Sequence, residues 1–386
     1  MELYIHIPFC VRKCEYCSFI SFPASEAQKE EYITALLQEA ENRSAEFAEP
    51  VSTVYIGGGT PSLLSGEQFT RLLRGLRERI CLDAVNEFTV EANPGTLSGG
   101  FLDAAVSQGV NRLSLGMQSA DESLLWRLGR IHTFRDVEES VTAARQSGIG
   151  NLNLDLMFGI PGQTADSWKR TLEAALSLGP EHISAYGLIP EEGTPLFQRL
   201  EAKEYELPDV EDEREMYSFA IRILAENGLE QYEISNFARK GYECVHNIGY
   251  WTQIPYAGLG VAAASMRIAE RNEKGLACVR RTNPEDFGLY LRAVRENDSR
   301  YAAVETVDRA GARFETLMLG LRMNRGVSGE HFRALHGVSL DDCYGPQLRA
   351  MRDRGLMAEA DGRWFLTARG MDIQNSVLLE FMEDPS

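Results

Sequence analysis

At 386 residues the chain is long enough to bury the core of one large α/β domain and of a smaller companion. A net charge of −18 argues against general nucleic-acid binding, which needs a basic surface to neutralise phosphates. No apolar run is long enough to span a bilayer, and the start, Met1-Glu2-Leu3-Tyr4-Ile5-His6, lacks a signal-peptide pattern. A cytoplasmic protein is expected, with membrane contact at most peripheral.

Short β-like runs alternate with amphipathic stretches through the first half, a pattern that predicts βα units around a parallel sheet. The runs are Leu3–Ile7, Val51–Ile56, Glu87–Glu91, Arg112–Leu115, Asn153–Phe158 and His182–Tyr186; helices are expected at Glu26–Phe47 and Phe69–Ile80. Six such units fall two short of a complete (β/α)₈ barrel, so an open, partial (β/α)₆ TIM-like barrel over residues 1–195 is predicted. Residues 196–307 read as an extension. They hold an acidic helix near Val210–Asn227, a strand and loop at Tyr232–Phe237, the run His246-Asn247-Ile248-Gly249-Tyr250-Trp251 and a glycine- and alanine-rich stretch, Gly258–Ala264. Residues 308–386 read as helices and a small hairpin ending in Trp364-Phe365-Leu366, similar to a winged-helix module.

The residues at the strand ends carry the chemistry, because in a barrel those ends converge on one rim. After the first strand comes Cys10-x-x-x-Cys14-x-x-Cys17, three of the seven cysteines within one short loop. Three thiolates can bind three corners of a [4Fe–4S] cubane and leave the fourth iron open. That iron can take the amino and carboxylate groups of S-adenosylmethionine (SAM), whose C–S bond an electron from the cluster cleaves, yielding methionine and a 5′-deoxyadenosyl radical. A structural zinc would want four protein ligands, and only His6 lies nearby. The second strand is followed by Gly57-Gly58-Gly59-Thr60-Pro61, either a tight turn or a backbone platform for the methionine end of SAM. Glu91 could accept hydrogen bonds from ribose hydroxyls, and Gln118, Arg130 and Asp155 are aimed at the same rim.

These motifs, with Tyr4-Ile5-His6-Ile7-Pro8-Phe9-Cys10, Tyr16, Glu91-Ala92-Asn93-Pro94 and Asp155-Leu156-Met157-Phe158-Gly159-Ile160-Pro161-Gly162, resemble the HemN/HemW family of radical SAM proteins over nearly the whole chain. The family contains anaerobic coproporphyrinogen III oxidases and haem chaperones. The resemblance implies a cluster on Cys10, Cys14 and Cys17, and a SAM site lined by Tyr4, Tyr16, Gly58, Gly59, Thr60, Glu91, Gln118, Arg130 and Asp155.

The oxidases resemble one another in a fourth cysteine two residues after the third, where this chain has Phe19, and in an N-terminal extension, whereas nine residues precede Cys10 here. His246-Asn247-x-x-Tyr250-Trp251 is instead the signature associated with the chaperone branch. The expectation is a haem chaperone that carries haem as cargo to apoproteins, with a cluster, SAM and an electron donor. Its haem would lie at His246, Asn247, Tyr250 and Trp251, since imidazole is a good axial ligand and aromatic rings offer flat apolar surface. Alternatively, His246 only hydrogen-bonds within a buried turn and the two aromatics are core; Cys244 is a weaker candidate ligand. The rival functions are an oxidase or another HemN-like radical transformation, and a nucleic-acid regulator using the C-terminal module. That module has no basic recognition helix, so no nucleic-acid partner is expected.

Overall fold

The computed structural model describes residues 1–272 and 275–382. Six parallel strands lie side by side in chain order: β1 (Glu2–Ile7), β2 (Thr53–Gly58), β3 (Glu87–Ala92), β4 (Arg112–Gln118), β5 (Asn151–Phe158) and β6 (His182–Gly187). They are the six strands expected, most of them longer by one to three residues at an end. Their odd and even positions divide the labour. On β1, Leu3, Ile5 and Ile7 pack outward into an apolar layer with Tyr32, Ile33 and Leu36 of the helix Glu26–Asn42. Glu2, Tyr4 and His6 face the concave side, as strand alternation requires.

The sheet does not stop at six strands. On one side β7 (Glu230–Glu233) and β8 (Asn236–Ala238) add antiparallel to β6. On the other, β9 (Tyr256–Leu259) runs parallel to β1 and is followed by β10 (Ala264–Asn272), β11 (Gly275–Thr282) and β12 (Ala303–Val307), completing a twelve-stranded sheet. Residues 196–307 therefore lengthen the same curved sheet at both edges. The expected helix Glu26–Phe47 ends earlier, at Asn42, and a separate 3₁₀ turn follows at Ser44–Phe47. Arg43 stands at the break, buried against Glu39 and donating to the Gly258 carbonyl at 2.6 Å. It ties the first helix to β9.

The C-terminal part has its own core, around Leu317, Phe332, Leu348 and Trp364. It combines helices with a three-stranded sheet of β13 (Val327–Ser328), β14 (Met357–Ala360) and β15 (Arg363–Leu366). Helices and then a hairpin are as expected, but the module does not end there: two further helices, Ala368–Asp372 and Gln374–Leu379, follow the hairpin.

The floor of the barrel is built from the first residues of its strands: Glu2, Thr53, Glu87, Arg112 and His182 are all buried there. The helix Val245–Trp251 plugs it. Glu87 accepts from the backbone N–H groups of Val245 (2.8 Å) and His246 (3.0 Å), placing a carboxylate at the helix N-terminus. Gly249 passes so close to Glu2 that any Cβ would collide with its carboxylate.

Candidate functional site

The opposite end of the barrel opens into a cavity of about 370 Å³ that all three cysteines, Cys10, Cys14 and Cys17, line. They sit on the loop after β1. That loop is held from two sides, by Cys10 N–H to the Phe22 carbonyl (3.1 Å) and by Glu15 N–H to the Leu128 carbonyl (3.0 Å). All three are free thiols. Burial pushes Cys14 and Cys17 up from the ordinary thiol range, and for Cys14 the nearby Arg130 and Arg12 oppose that rise. Among the described residues no three His, Cys, Asp or Glu side chains group closely enough for a single metal ion. Three thiolates spread over one cavity wall suit a cluster, where each binds a different iron, better than a zinc drawn to one point.

Seven of the nine residues expected at SAM line this same cavity: Tyr16, Gly58, Gly59, Glu91, Gln118, Arg130 and Asp155. Glu91 accepts from the Gly58 N–H (2.9 Å) and the Tyr55 hydroxyl (2.8 Å), and burial raises its pKa to about 7. Gly58 itself has φ +105°, a backbone state that side chains disfavour. Arg130 donates to Asn93 Oδ1 and to the Tyr16 hydroxyl, both at 2.6 Å, and lies over the Tyr16 ring. Asp155 is fixed by Ser114 (3.0 Å) and Asn153 (2.8 Å). Gln118 has φ +60° just after an irregularity in the β4–β5 register, a strained state of the kind that collects at functional sites. The cavity thus offers carboxylates, an arginine and open backbone beside three thiols, the donor and acceptor set that an amino acid joined to a nucleoside needs.

Two expected residues stand elsewhere. Thr60 is buried behind the cluster loop, with its hydroxyl 3.4 Å from Cys10 Sγ and 2.7 Å from Asn93 Nδ2; it positions a thiol rather than lining the cavity. Tyr4 faces a neighbouring cavity and bonds His6 Nδ1 at 3.1 Å. Sequence reasoning missed Tyr55, Asn93 and Ser114, all on the wall. The signal was present: Tyr55 and Ser114 lie two residues before Gly57 and Gly116, on the same face of their strands.

The neighbouring cavity, about 610 Å³, shares Ser18 and Phe19 with the first. Tyr4, Tyr250, Trp251, Tyr256, Met266 and Leu319 supply its apolar lining, and Arg280, held by Glu315 at 2.8 and 2.6 Å, is its cation. Phe19, 65% exposed, stands where the two meet.

His246 belongs to neither lining. It is 1% exposed, with Nδ1 at 2.8 Å from the Thr53 hydroxyl, Nε2 at 3.0 Å from the Tyr250 hydroxyl, and its ring stacked on Tyr55. Burial, with Arg112 nearby, lowers its pKa to about 3. Both ring nitrogens are therefore engaged within the floor, the arrangement of the buried-turn alternative; Tyr250 and Trp251 reach the larger cavity, and half-buried Asn247 reaches neither. Cys244 is wholly buried against Glu87, its pKa pushed up to about 12.

The sequence pattern of the Radical SAM superfamily matches residues 4–175, and that of the HemN C-terminal domain matches residues 307–373. The chain is 36% identical over 381 residues to "Heme chaperone HemW" of Bacillus subtilis (strain 168), covering 98% of each chain. It is 35% identical over 389 residues to the protein of that name from Escherichia coli (strain K12), covering 100% of this chain and 98% of that one. Its fold is similar to that of the radical SAM enzyme coproporphyrinogen III oxidase (HemN) from Escherichia coli, with a TM-score of 0.83 at 22% identity, over 98% of this chain and 89% of that one. Membership of the superfamily implies a [4Fe–4S] cluster and SAM, and the thiols and polar wall described above fit both. From the cysteine loop at its N-terminal end to the HemN-type domain at the other, the chain belongs to the HemW family of radical SAM proteins.

Proposed function

We propose that the chain is a haem chaperone, holding cluster and SAM in the smaller cavity and haem in the larger, and delivering that haem to apoproteins. The observation that carries this reading is the pair of cavities sharing Phe19 as a wall. One is polar and thiol-lined; the other is aromatic, of a volume usual for a cofactor-sized ligand. When bound, the cluster supplies an electron to SAM. The chain's own residues then divide as follows: Tyr16, Glu91, Gln118, Arg130 and Asp155 bind and orient SAM, and Thr60 steadies Cys10. Tyr250, Trp251 and Tyr256 hold the macrocycle by its faces, with Arg280 for its carboxylates. His246 fixes Tyr250 from behind. The names of the 35–36% identical relatives support the same function, and the absence of a membrane-crossing helix among the described residues is compatible with a cytoplasmic site of action.

Haem titration followed in the Soret band tests this. Trp251→Ala and Tyr256→Ala should weaken binding about tenfold or more, as loss of a buried aromatic contact does. His246→Ala should leave the Soret position unchanged; a shifted band in that variant would make the imidazole an iron ligand. Reconstituted protein given reductant, SAM and coproporphyrinogen should form no protoporphyrinogen, and turnover there would replace the chaperone reading with an oxidase.

A further inference from the structure

With both nitrogens of His246 engaged in the barrel floor, haem iron held in the larger cavity must find its axial ligand elsewhere. His6 reaches that cavity, but its Nδ1 is bonded to the Tyr4 hydroxyl (3.1 Å) and its Nε2 to the Ile20 carbonyl (2.9 Å). The Tyr250 hydroxyl is taken by His246 Nε2. Cys278 touches the cavity yet is 1% exposed, packed with Met266, Val307 and Ala312. Burial pushes its thiol up, away from the thiolate that binds iron. Tyr256 differs. Half-buried at the start of β9, it pairs with Met266 of β10, which pairs in turn with Arg280 of β11, so the three form one row across adjacent strands. All three line the cavity. Arg280, clamped by both carboxylate oxygens of Glu315, comes within hydrogen-bonding reach of the Tyr256 hydroxyl, and its charge favours the phenolate against the effect of burial. The Tyr250 ring stands at 90° to that of Tyr256, with centroids 4.7 Å apart, and steadies it.

We propose that Tyr256, as a phenolate beside Arg280, is the axial ligand of ferric haem in the larger cavity. The proposal rests on the chaperone reading and deepens it by naming the atom that grips the iron. Tyrosine oxygen is a competent haem ligand, and a neighbouring cation offsets the phenolate charge in an apolar setting, where that charge is otherwise costly. The exchange balances without electron transfer. Water on the ferric iron leaves, a bond forms between the iron and the Tyr256 oxygen, the phenolic proton passes to solvent, and the iron stays ferric. Glu315 keeps the guanidinium aimed along the row, and the N–H groups left over by Glu315 and Tyr256 remain for a haem carboxylate.

The test uses the full chain with its cluster reconstituted and ferric haem added without reductant, read by Soret titration and by resonance Raman excited in the charge-transfer band. Wild type should show phenolate ring modes coupled to ferric haem. Y256F, which keeps the aromatic face, should still take up haem but lose those modes and shift the Soret band. Y4F, Y250F, C278S and M266L should retain both. R280Q should lose or weaken the phenolate modes, and R280K, which keeps the charge, should restore them. If Y256F takes up no haem at all, modes retained by Y4F and Y250F still place the ligand at Tyr256, because these three are the tyrosines that line the cavity. Haem uptake by wild type without phenolate modes, or modes that persist in Y256F, would overturn the proposal and leave the chaperone reading standing. A wild type that takes up no haem would overturn both.

Discussion

Neutral and enclosed among the ionisable groups of the barrel floor, His246 has its pKa lowered to about 3, while Glu2, on the same floor, has its raised to about 8 by burial. Their 4.0 Å approach is therefore a contact between uncharged groups near neutral pH, not an ion pair. The two contribute to stability with opposite signs. His246 is protonated in the unfolded chain below about pH 6.5 but resists protonation when folded, so its contribution is lost as pH falls from about 6.5 toward 3. Glu2 keeps its proton longer when folded, so stability falls as pH rises from about 4.5 toward 8. Denaturant midpoints should decline between pH 6.5 and 8 for the wild type and much less for Glu2→Gln; an equal decline in both would remove Glu2 from the account. Beside them, Gly249 has no room for a side chain. Gly249→Ala should destabilise by about 1–3 kcal/mol through overpacking, measured by urea unfolding, and Glu2→Ala in the same chain should recover part of the loss.

The strands and their ends form the next scale. At the end of β4, Gln118 holds a left-handed backbone state that a glycine would adopt freely. Gln118→Gly should therefore leave the unfolding midpoint close to wild type while weakening SAM binding about tenfold, measured by equilibrium dialysis on the reconstituted protein. Equal SAM affinity would show that the strain serves no ligand. The same scale explains what was legible beforehand. The six barrel strands were readable because alternation along each one is strict, and their end residues fall on one rim whatever the details of packing. Thr60 and Tyr4 stand off the lining of the smaller cavity, a placement that adjacency in sequence does not give, since it does not say which side of a loop or wall a side chain takes. β9 has no counterpart in the sequence analysis, where only its last two residues fall in the glycine- and alanine-rich stretch Gly258–Ala264. Its small residues give little period-2 signal, and only the register with β1, from Glu2↔Tyr256 to Ile5↔Leu259, makes it a strand. The run His246–Trp251 looked like a ligand set because its residue types suit haem. That it lies in the seven-residue helix Val245–Trp251 stoppering the barrel depends on Glu2, Thr53 and Glu87, brought in from three separate strands.

Taken whole, the molecule makes its aromatic cavity from parts distant in sequence: β1, the plug helix, β9–β11 and, across the gap, the helix Arg309–Gly320 of the C-terminal module. The HemN-type domain thereby forms the far wall of that cavity. Leu319→Asp should weaken haem binding while leaving iron and sulfide content after reconstitution unchanged, since Leu319 lines only the larger of the two cavities; loss of both would point to misfolding instead. The Phe19 partition has a thermodynamic corollary. Phe19 lines both chambers, so a ligand that turns its ring in one chamber reshapes the other, and filling either would then change the free energy of filling its neighbour. By linkage the effect is mutual: whatever factor SAM imposes on the haem dissociation constant, haem must impose on that of SAM. The two cofactors would then sense each other without touching, and Phe19→Ala, by thinning the wall, should bring that shared factor toward one.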